Sequence, residues 1–307
     1  MYRILITGQN SYIGNAVAEY LEEYNLKSGQ PRYRVEKLSL RGDSWREKDF
    51  SGTDVILHVA GKAHADVGRV SEEARAEYDR VNRQLTAQVA EKARREGVKQ
   101  FIYPGSVIVY GESAGVGKKK RITADTQPCP AGFYGDSKLR AEQELRELEA
   151  PGFSVAVLRL PMVYGRGCKG NFPALEKLAG RLPVFPDIAN ERSMLYIENL
   201  AEFIRQLIEK QEGGTFFPQN ARYVSTARLV ALIAEARGRR LRLCSWLNPF
   251  VRLLSALPGR GRLTGKARGL CNKAFGSLTV DMGLSCPEGY SYQKYSLEES
   301  IRRIYED

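Results

Sequence analysis

The sequence predicts an α/β fold, a doubly wound parallel sheet joined to a smaller mixed α/β domain. Over the first 165 residues, short apolar runs alternate with segments of helical periodicity. One interior run, Asp-Val-Ile-Leu-His-Val at 54–59, is almost continuously apolar, as a strand buried on both faces must be. A glycine-bearing turn between Gly8 and Gly14 joins the first run to the first helical segment.

Residues 3–7 form the first strand. Ile13, Ala16, Val17, Tyr20, Leu21 and Tyr24 then recur at helical spacing, giving a surface helix one buried face. Residues 34–40 alternate weakly and read as a second strand, 54–59 as a third. About a dozen residues separate these two strands, so the crossover helix between them is short or missing. A helix is expected from 71 to 96, a strand at 100–103, a helix from 132 to 149 and a strand at 154–160. Beyond Gly165 come a helix at 199–211, a strand at 215–217, a helix capped by Ser225 or Thr226 and closed by Gly238, and a last helix from Leu297. Residues 1–165, completed by 193–220, are expected to form the nucleotide-binding half. Residues 166–192 and 221–307 are expected to form the substrate half.

Composition narrows the function. The chain has 307 residues, 43% apolar and 27% charged, ordinary for a globular protein. No apolar run reaches the ~18–20 residues of a membrane-spanning helix, and Met1-Tyr2-Arg3 leads straight into a strand, where no signal peptide fits. Five cysteines, without a CxxC pair, fit a reducing, cytoplasmic setting. With only two histidines, His58 and His64, neither a metal site nor a Ser-His-Asp triad is expected; His58 reads as a packed residue at a strand end. The net charge is +11, and residues 236–280 hold ten basic side chains and no acid.

In the turn Thr7-Gly8-Gln9-Asn10-Ser11-Tyr12-Ile13-Gly14, backbone amides at a helix N-terminus can approach a pyrophosphate, the Rossmann-type arrangement. Gly8 would make the tight turn and Gly14 would allow close helix–sheet packing. Ser11 stands where a middle glycine is common, and its hydroxyl could donate to a phosphate. After the second strand the chain reads Leu38-Ser39-Leu40-Arg41, with no acid before Asp43. Ser39 and Arg41 suit a 2′-phosphate, which favours NADP(H). If Asp43 instead serves a ribose, NAD(H) is the cofactor.

Tyr134 and Lys138 are four apart on a helix and therefore adjacent. An ammonium beside a phenol is expected to lower the tyrosine pKa toward neutrality, fitting it for proton transfer at a sugar hydroxyl. Ser106 follows the strand at 100–103 and should emerge at the same sheet edge; alone, it reads equally well as a turn serine capping a backbone amide.

Taken together, Thr7-Gly8…Gly14, His58-Val59-Ala60-Gly61, Asn82, Ser106-Val107-Ile108-Val109-Tyr110-Gly111, Tyr134…Lys138, Arg159-Leu160-Pro161-Met162-Val163-Tyr164-Gly165 and Tyr196-Ile197-Glu198-Asn199-Leu200-Ala201 resemble the extended short-chain dehydrogenase/reductases of the nucleotide-sugar epimerase/dehydratase branch. The resemblance implies that Ser106 and Tyr134 bind the reacting oxygen and that Lys138 bridges the nicotinamide ribose. It implies cofactor contacts from Gly8, Asn10, Ser11, Tyr12, Ile13, Gly14, Ser39, Arg41, Ala60, Gly61, Asn82, Pro161 and Val163. Substrate contacts are implied for Lys62, Val107, Asn171, Phe172, Val184, Phe185 and Arg192, with Asn171, Phe172 and Arg192 at the diphosphate and Pro183-Val184-Phe185 at the base. The departures are Ser11, Ser39 and the short second crossover.

A 4,6-dehydratase of this branch carries an Asp-Glu pair after the active serine or threonine; here Val107-Ile108 follow Ser106. Epimerases at C3 and C5 need further acid–base groups, for which Cys129 and Cys168 are the candidates in loops. The expectation is oxidoreduction at C4 of a UDP-sugar by an epimerase or a 4-keto reductase. A non-catalytic nucleotide- or membrane-surface-binding protein on the same fold is the alternative class. No nucleic-acid partner is expected, and a second copy of the chain is a candidate partner. For residues 236–280 the first expectation is a helix packed into the substrate half with its arginines lining a diphosphate pocket. The second is peripheral attachment to a membrane through basic residues flanking an apolar helix.

Overall fold

The computed structural model describes residues 1–62, 71–257 and 262–306. The chain begins β1 (Tyr2–Thr7), α1 (Tyr12–Ser28), β2 (Tyr33–Leu38), β3 (Val55–His58), α2 (Glu72–Asp79), a π-helical turn (Arg80–Gln84), α3 (Leu85–Arg95), β4 (Gln100–Ser106), β5 (Arg121–Ile122), α4 (Phe133–Glu147) and β6 (Ser154–Leu160). It continues β7 (Met162–Tyr164), α5 (Phe172–Arg181), β8 (Val184–Pro186), β9 (Met194–Tyr196), α6 (Ile197–Lys210), β10 (Gly214–Phe216) and α7 (Thr226–Ala236). It ends β11 (Arg242–Cys244), α8 (Asn248–Ala256), α9 (Arg262–Phe275), β12 (Thr279–Val280) and α10 (Leu297–Tyr305).

The main sheet has six parallel strands in the order β10-β6-β4-β3-β1-β2. Side chains alternate between two cores: Ile4, Ile6, Val55, Leu57 and Ile102 face one, while Leu5, Ile56, Phe101 and Tyr103 face the other. That double burial accounts for the nearly continuous apolar strands. Helices α1 and α6 cover the first face, α3 and α4 the second.

Between β2 and β3 the described chain has only a 3-10 turn, Ser44–Arg46, so the crossover helix is missing as the spacing predicts. Trp45 and Phe50, both buried, fill that side of the second core instead. Because β1 lies between β2 and β3, the winding reverses there. Such a switch point leaves a crevice at the carboxyl ends of the strands, where open α/β sheets bind ligands.

The remaining strands pair two by two, all parallel: β7 with β9, β8 with β11 and β5 with β12. These short pairs carry no periodic signal in the sequence. Helices α8 and α9 pack on each other, and among α8 side chains only Val251 is buried. The expectation that this helix sinks into the substrate half is therefore corrected. Its face is wider than the body of the protein covers.

Candidate active site

Gly8 has φ +94°, and a Cβ there would lie 2.8 Å from the Ala60 amide nitrogen, so β1 and β3 can meet here only through glycine. A Cβ on Gly14 would stand 2.9 Å from both Ile6 and Val59, which is the close helix–sheet approach expected of it. Ser11 caps α1, its Oγ accepting from the Gly14 amide at 3.4 Å. Asn10 is exposed and Ile13 half-buried at the same turn. The Tyr12 hydroxyl is buried without a hydrogen-bond partner among the described residues. It approaches Gly165, so the segment holding Pro161 and Val163 closes over the glycine turn.

At the end of β2, the Arg41 amide donates to Ser39 Oγ at 3.3 Å and the Arg41 side chain is exposed. Asp43, the alternative ribose partner, is engaged by Arg46 Nε at 3.1 Å.

His58 is the packed residue expected. Its Nδ1 lies 2.9 Å from Thr7 Oγ1 and its Nε2 3.0 Å from Thr86 Oγ1, which in turn donates to the Asn82 carbonyl. Burial pushes the imidazole down to about 3, so it is neutral at physiological pH. His64 lies outside the described residues.

Asn82, in the π turn, accepts from the Lys62 amide at 2.7 Å and donates to the Lys62 carbonyl and Ser137 Oγ. A Cβ on Gly61 would lie 3.3 Å from Asn82 Oδ1 and 3.7 Å from Lys138 Nζ. Gly61, Asn82 and Lys138 are thus neighbours. The Lys62 ammonium turns to Glu77 and the Tyr78 ring.

Helix α4 begins at Phe133, so Tyr134 sits in its first turn and Lys138 one turn on. Lys138 Nζ is 3.4 Å from the Pro104 carbonyl and 4.6 Å from the centroid of the Tyr103 ring. Ser106 ends β4, and its Oγ accepts from the Ile108 amide at 3.2 Å. The capping reading of Ser106 is therefore observed, at the sheet edge where α4 begins. Val107 is buried in the turn that follows.

One electrostatic expectation is corrected. Burial pushes Tyr134 up to about 12 rather than toward neutrality, and the nearby Tyr78 adds to it. Spacing brought lysine and tyrosine onto one face, but it carries no information about desolvation, which dominates here. Burial also brings Lys138 down to about 8, opposed by Glu142.

Sequence reasoning missed Glu142. This buried carboxylate lies one turn beyond Lys138 and pairs with Arg159. The i+4 spacing from Lys138 was the available signal.

The expected substrate residues divide. Asn171 is exposed ahead of α5, but Phe172 is buried and stacks on Tyr164, so its side chain belongs to the core. Val184 is half-buried, and buried Phe185 packs against Phe275. Arg192 Nη1 donates to the Lys273 and Ala274 carbonyls at the end of α9, and burial lowers its pKa. Its guanidinium is thereby engaged by the protein itself. Cys129 is exposed and Cys168 buried. No cluster of potential metal ligands occurs among the described residues.

A winding reversal, a glycine cradle at β1 and β3, and a tyrosine and lysine at the same sheet edge define a dinucleotide-dependent oxidoreductase. Residues 4–217 match the NAD dependent epimerase/dehydratase family, and the chain belongs to that family. It is an enzyme of the epimerase/oxidoreductase class. A UDP-glucose 4-epimerase of Vibrio cholerae is 32% identical over 296 residues, covering 91% of this chain and 87% of the relative. An N-acetyl-alpha-D-glucosaminyl-diphospho-ditrans,octacis-undecaprenol 4-epimerase of Escherichia coli O157:H7 is 28% identical over 224 residues, covering 69% and 64%. Among solved structures, the UDP-glucuronic acid 4-epimerase of Bacillus cereus in complex with NAD superimposes with a TM-score of 0.71. Its identity is 17%, with 99% and 97% of the two chains covered.

Proposed function

We propose that this enzyme carries out oxidoreduction at C4 of a UDP-sugar, as a 4-epimerase or a reductase of the 4-keto form. The observation that carries the reading is Tyr134 and Lys138 on one helical turn beside Gly61 and Asn82, with Val107-Ile108 rather than an acid pair after Ser106. Residues 1–165 with 193–220 would form the cofactor half, and 166–192 with 221–307 the substrate half.

The cradle fits a nicotinamide dinucleotide. Gly8 and Gly14 have no room for a Cβ, and beside them the buried Tyr12 hydroxyl has no partner among the described residues. Asn10, Ser11, Tyr12 and Ile13 would present the turn to the pyrophosphate, Ala60 and Gly61 would flank the cofactor, and Pro161 and Val163 would close over it. When bound, the dinucleotide supplies the hydride acceptor and donor. Exposed Arg41 with Ser39 favours NADP(H) over NAD(H). Tyr134 exchanges the proton of the sugar O4 hydroxyl, and Ser106 holds that oxygen. Lys138, charged below about pH 8, favours the phenolate as the proton leaves. Lys62, Val107, Asn171 and Val184 remain the substrate contacts proposed; Phe172, Phe185 and Arg192 would shape the pocket from behind. Five free cysteines support a cytoplasmic setting.

A sugar diphosphate carried on a polyprenol is the second substrate reading. The activity of the E. coli relative and the exposed apolar face of α8 favour it. Incubation of NADPH and NADH separately with UDP-sugars, their 4-keto derivatives and a polyprenyl-diphosphate sugar, with NMR of products, tests these readings. A product altered only at C4 supports the proposal, and turnover confined to other carbons overturns it.

A further inference from the structure

We propose that the helix pair α8–α9 is a docking surface for an anionic phospholipid bilayer. Among the described residues nine large apolar side chains are exposed, and six of them fall between Leu243 and Leu270. On α8, Phe250, Leu253 and Leu254 share one face at i, i+3 and i+4 spacing and are 62%, 65% and 41% exposed. Val251 is buried at the flank of this face and joins the main core. Trp246 precedes this face at 64% exposure, and Leu270 of α9 stands out at 70% between exposed Lys266 and Lys273.

Charge selects the occupant. Residues 236–280 carry ten basic side chains and no acid, and Arg239, Arg240, Arg242, Arg252 and Arg268 are exposed around the apolar face. A second copy of the chain would set this positive surface against itself, whereas an anionic headgroup layer neutralises it while accepting the apolar side chains. No helix of the described residues is long and apolar enough to cross a membrane, so the contact is peripheral. The pair is also tied to the reaction side of the molecule. Ser113 Oγ, a few residues beyond the Ser106 turn, donates to the Asn272 carbonyl at 3.2 Å, and Arg192 donates to that of Lys273.

The full chain, without substrate, is floated with vesicles of phosphatidylcholine alone or mixed with phosphatidylglycerol. Co-flotation with the anionic vesicles only, reversed by about 0.5 M salt, is expected. The chain has two tryptophans, Trp45 at 2% exposure and Trp246 at 64%. The same vesicles should therefore blue-shift the emission, and Trp246→Phe should remove the shift. Phe250→Ser with Leu253→Ser, or Arg239→Glu with Arg240→Glu, should each weaken partitioning more than about tenfold while leaving the thermal melt unchanged. No flotation at low salt, equal binding to neutral vesicles, or a dimer that Phe250→Ser dissolves would each overturn the proposal. The readout needs no turnover, so its failure leaves the C4 reading untouched, and the reverse holds as well.

Discussion

Arg159 grips Glu142 between sheet and helix: Nε and Nη2 lie 2.9 and 2.8 Å from the same carboxylate oxygen, and both side chains are buried. Arg159 Nη1 also donates to the Tyr110 hydroxyl at 2.6 Å. The other carboxylate oxygen of Glu142 has no partner among the described residues and would sit 2.7 Å from a Cβ at Gly105, so β4 needs a glycine where α4 crosses it. The pair thus anchors the helix that carries Tyr134 and Lys138.

Breaking this pair strands a buried charge. Glu142→Gln should lower unfolding free energy by about 3–5 kcal/mol, and Glu142→Gln combined with Arg159→Met should recover much of the loss. Denaturant titration of the single and double variants checks this. Equal loss in both would mean that packing rather than charge holds α4.

Tyr134→Phe should cut turnover by about 10²–10⁴ with an unchanged melt, because only the proton-transferring oxygen is lost. Lys138→Met should be comparably damaging. Near-normal turnover of Tyr134→Phe on the identified substrate would remove the tyrosine from its role.

Arg41→Ala should erase a preference for NADP(H) of about ten- to a hundredfold while leaving NAD(H) affinity nearly unchanged. Calorimetry with each dinucleotide checks it. Tighter binding of NAD(H) than NADP(H) by the unaltered protein would contradict the assignment.

His58 makes the fold acid-sensitive. Its folded pKa is depressed to about 3, below the ordinary 6.5, so as pH falls the unfolded chain gains a proton that the folded one refuses. Stability is fully present above about 6.5 and declines below it by about 1.4 kcal/mol per pH unit, roughly 2 kcal/mol by pH 5. His58→Gln should flatten that slope. Parallel pH profiles of the two proteins would place the sensitivity elsewhere.

The strands of the main sheet were legible because double burial makes them uniformly apolar, and the missing crossover because sixteen residues from Ser39 to Asp54 must span two strand positions. Gly8 and Gly14 were legible because turn and packing exclude every other side chain. Spacing gave the neighbours Tyr134 and Lys138 but not the direction of the Tyr134 shift, which burial sets. The π turn that aims Asn82 leaves no periodic trace. For Phe172 and Arg192, motif position could not distinguish a side chain facing substrate from one held by the protein. In 236–280 the composition was plain, but which apolar residues stay exposed depends on tertiary packing.

The most direct test of C4 chemistry is turnover in deuterium oxide followed by NMR of the sugar. Hydride passes between C4 and the dinucleotide without exchange with water, so the product should differ at C4 and carry no deuterium on any ring carbon. Deuterium at C3 or C5, or a deoxygenated C6, would mean that carbon-bound protons pass to solvent, and would contradict a reaction confined to C4.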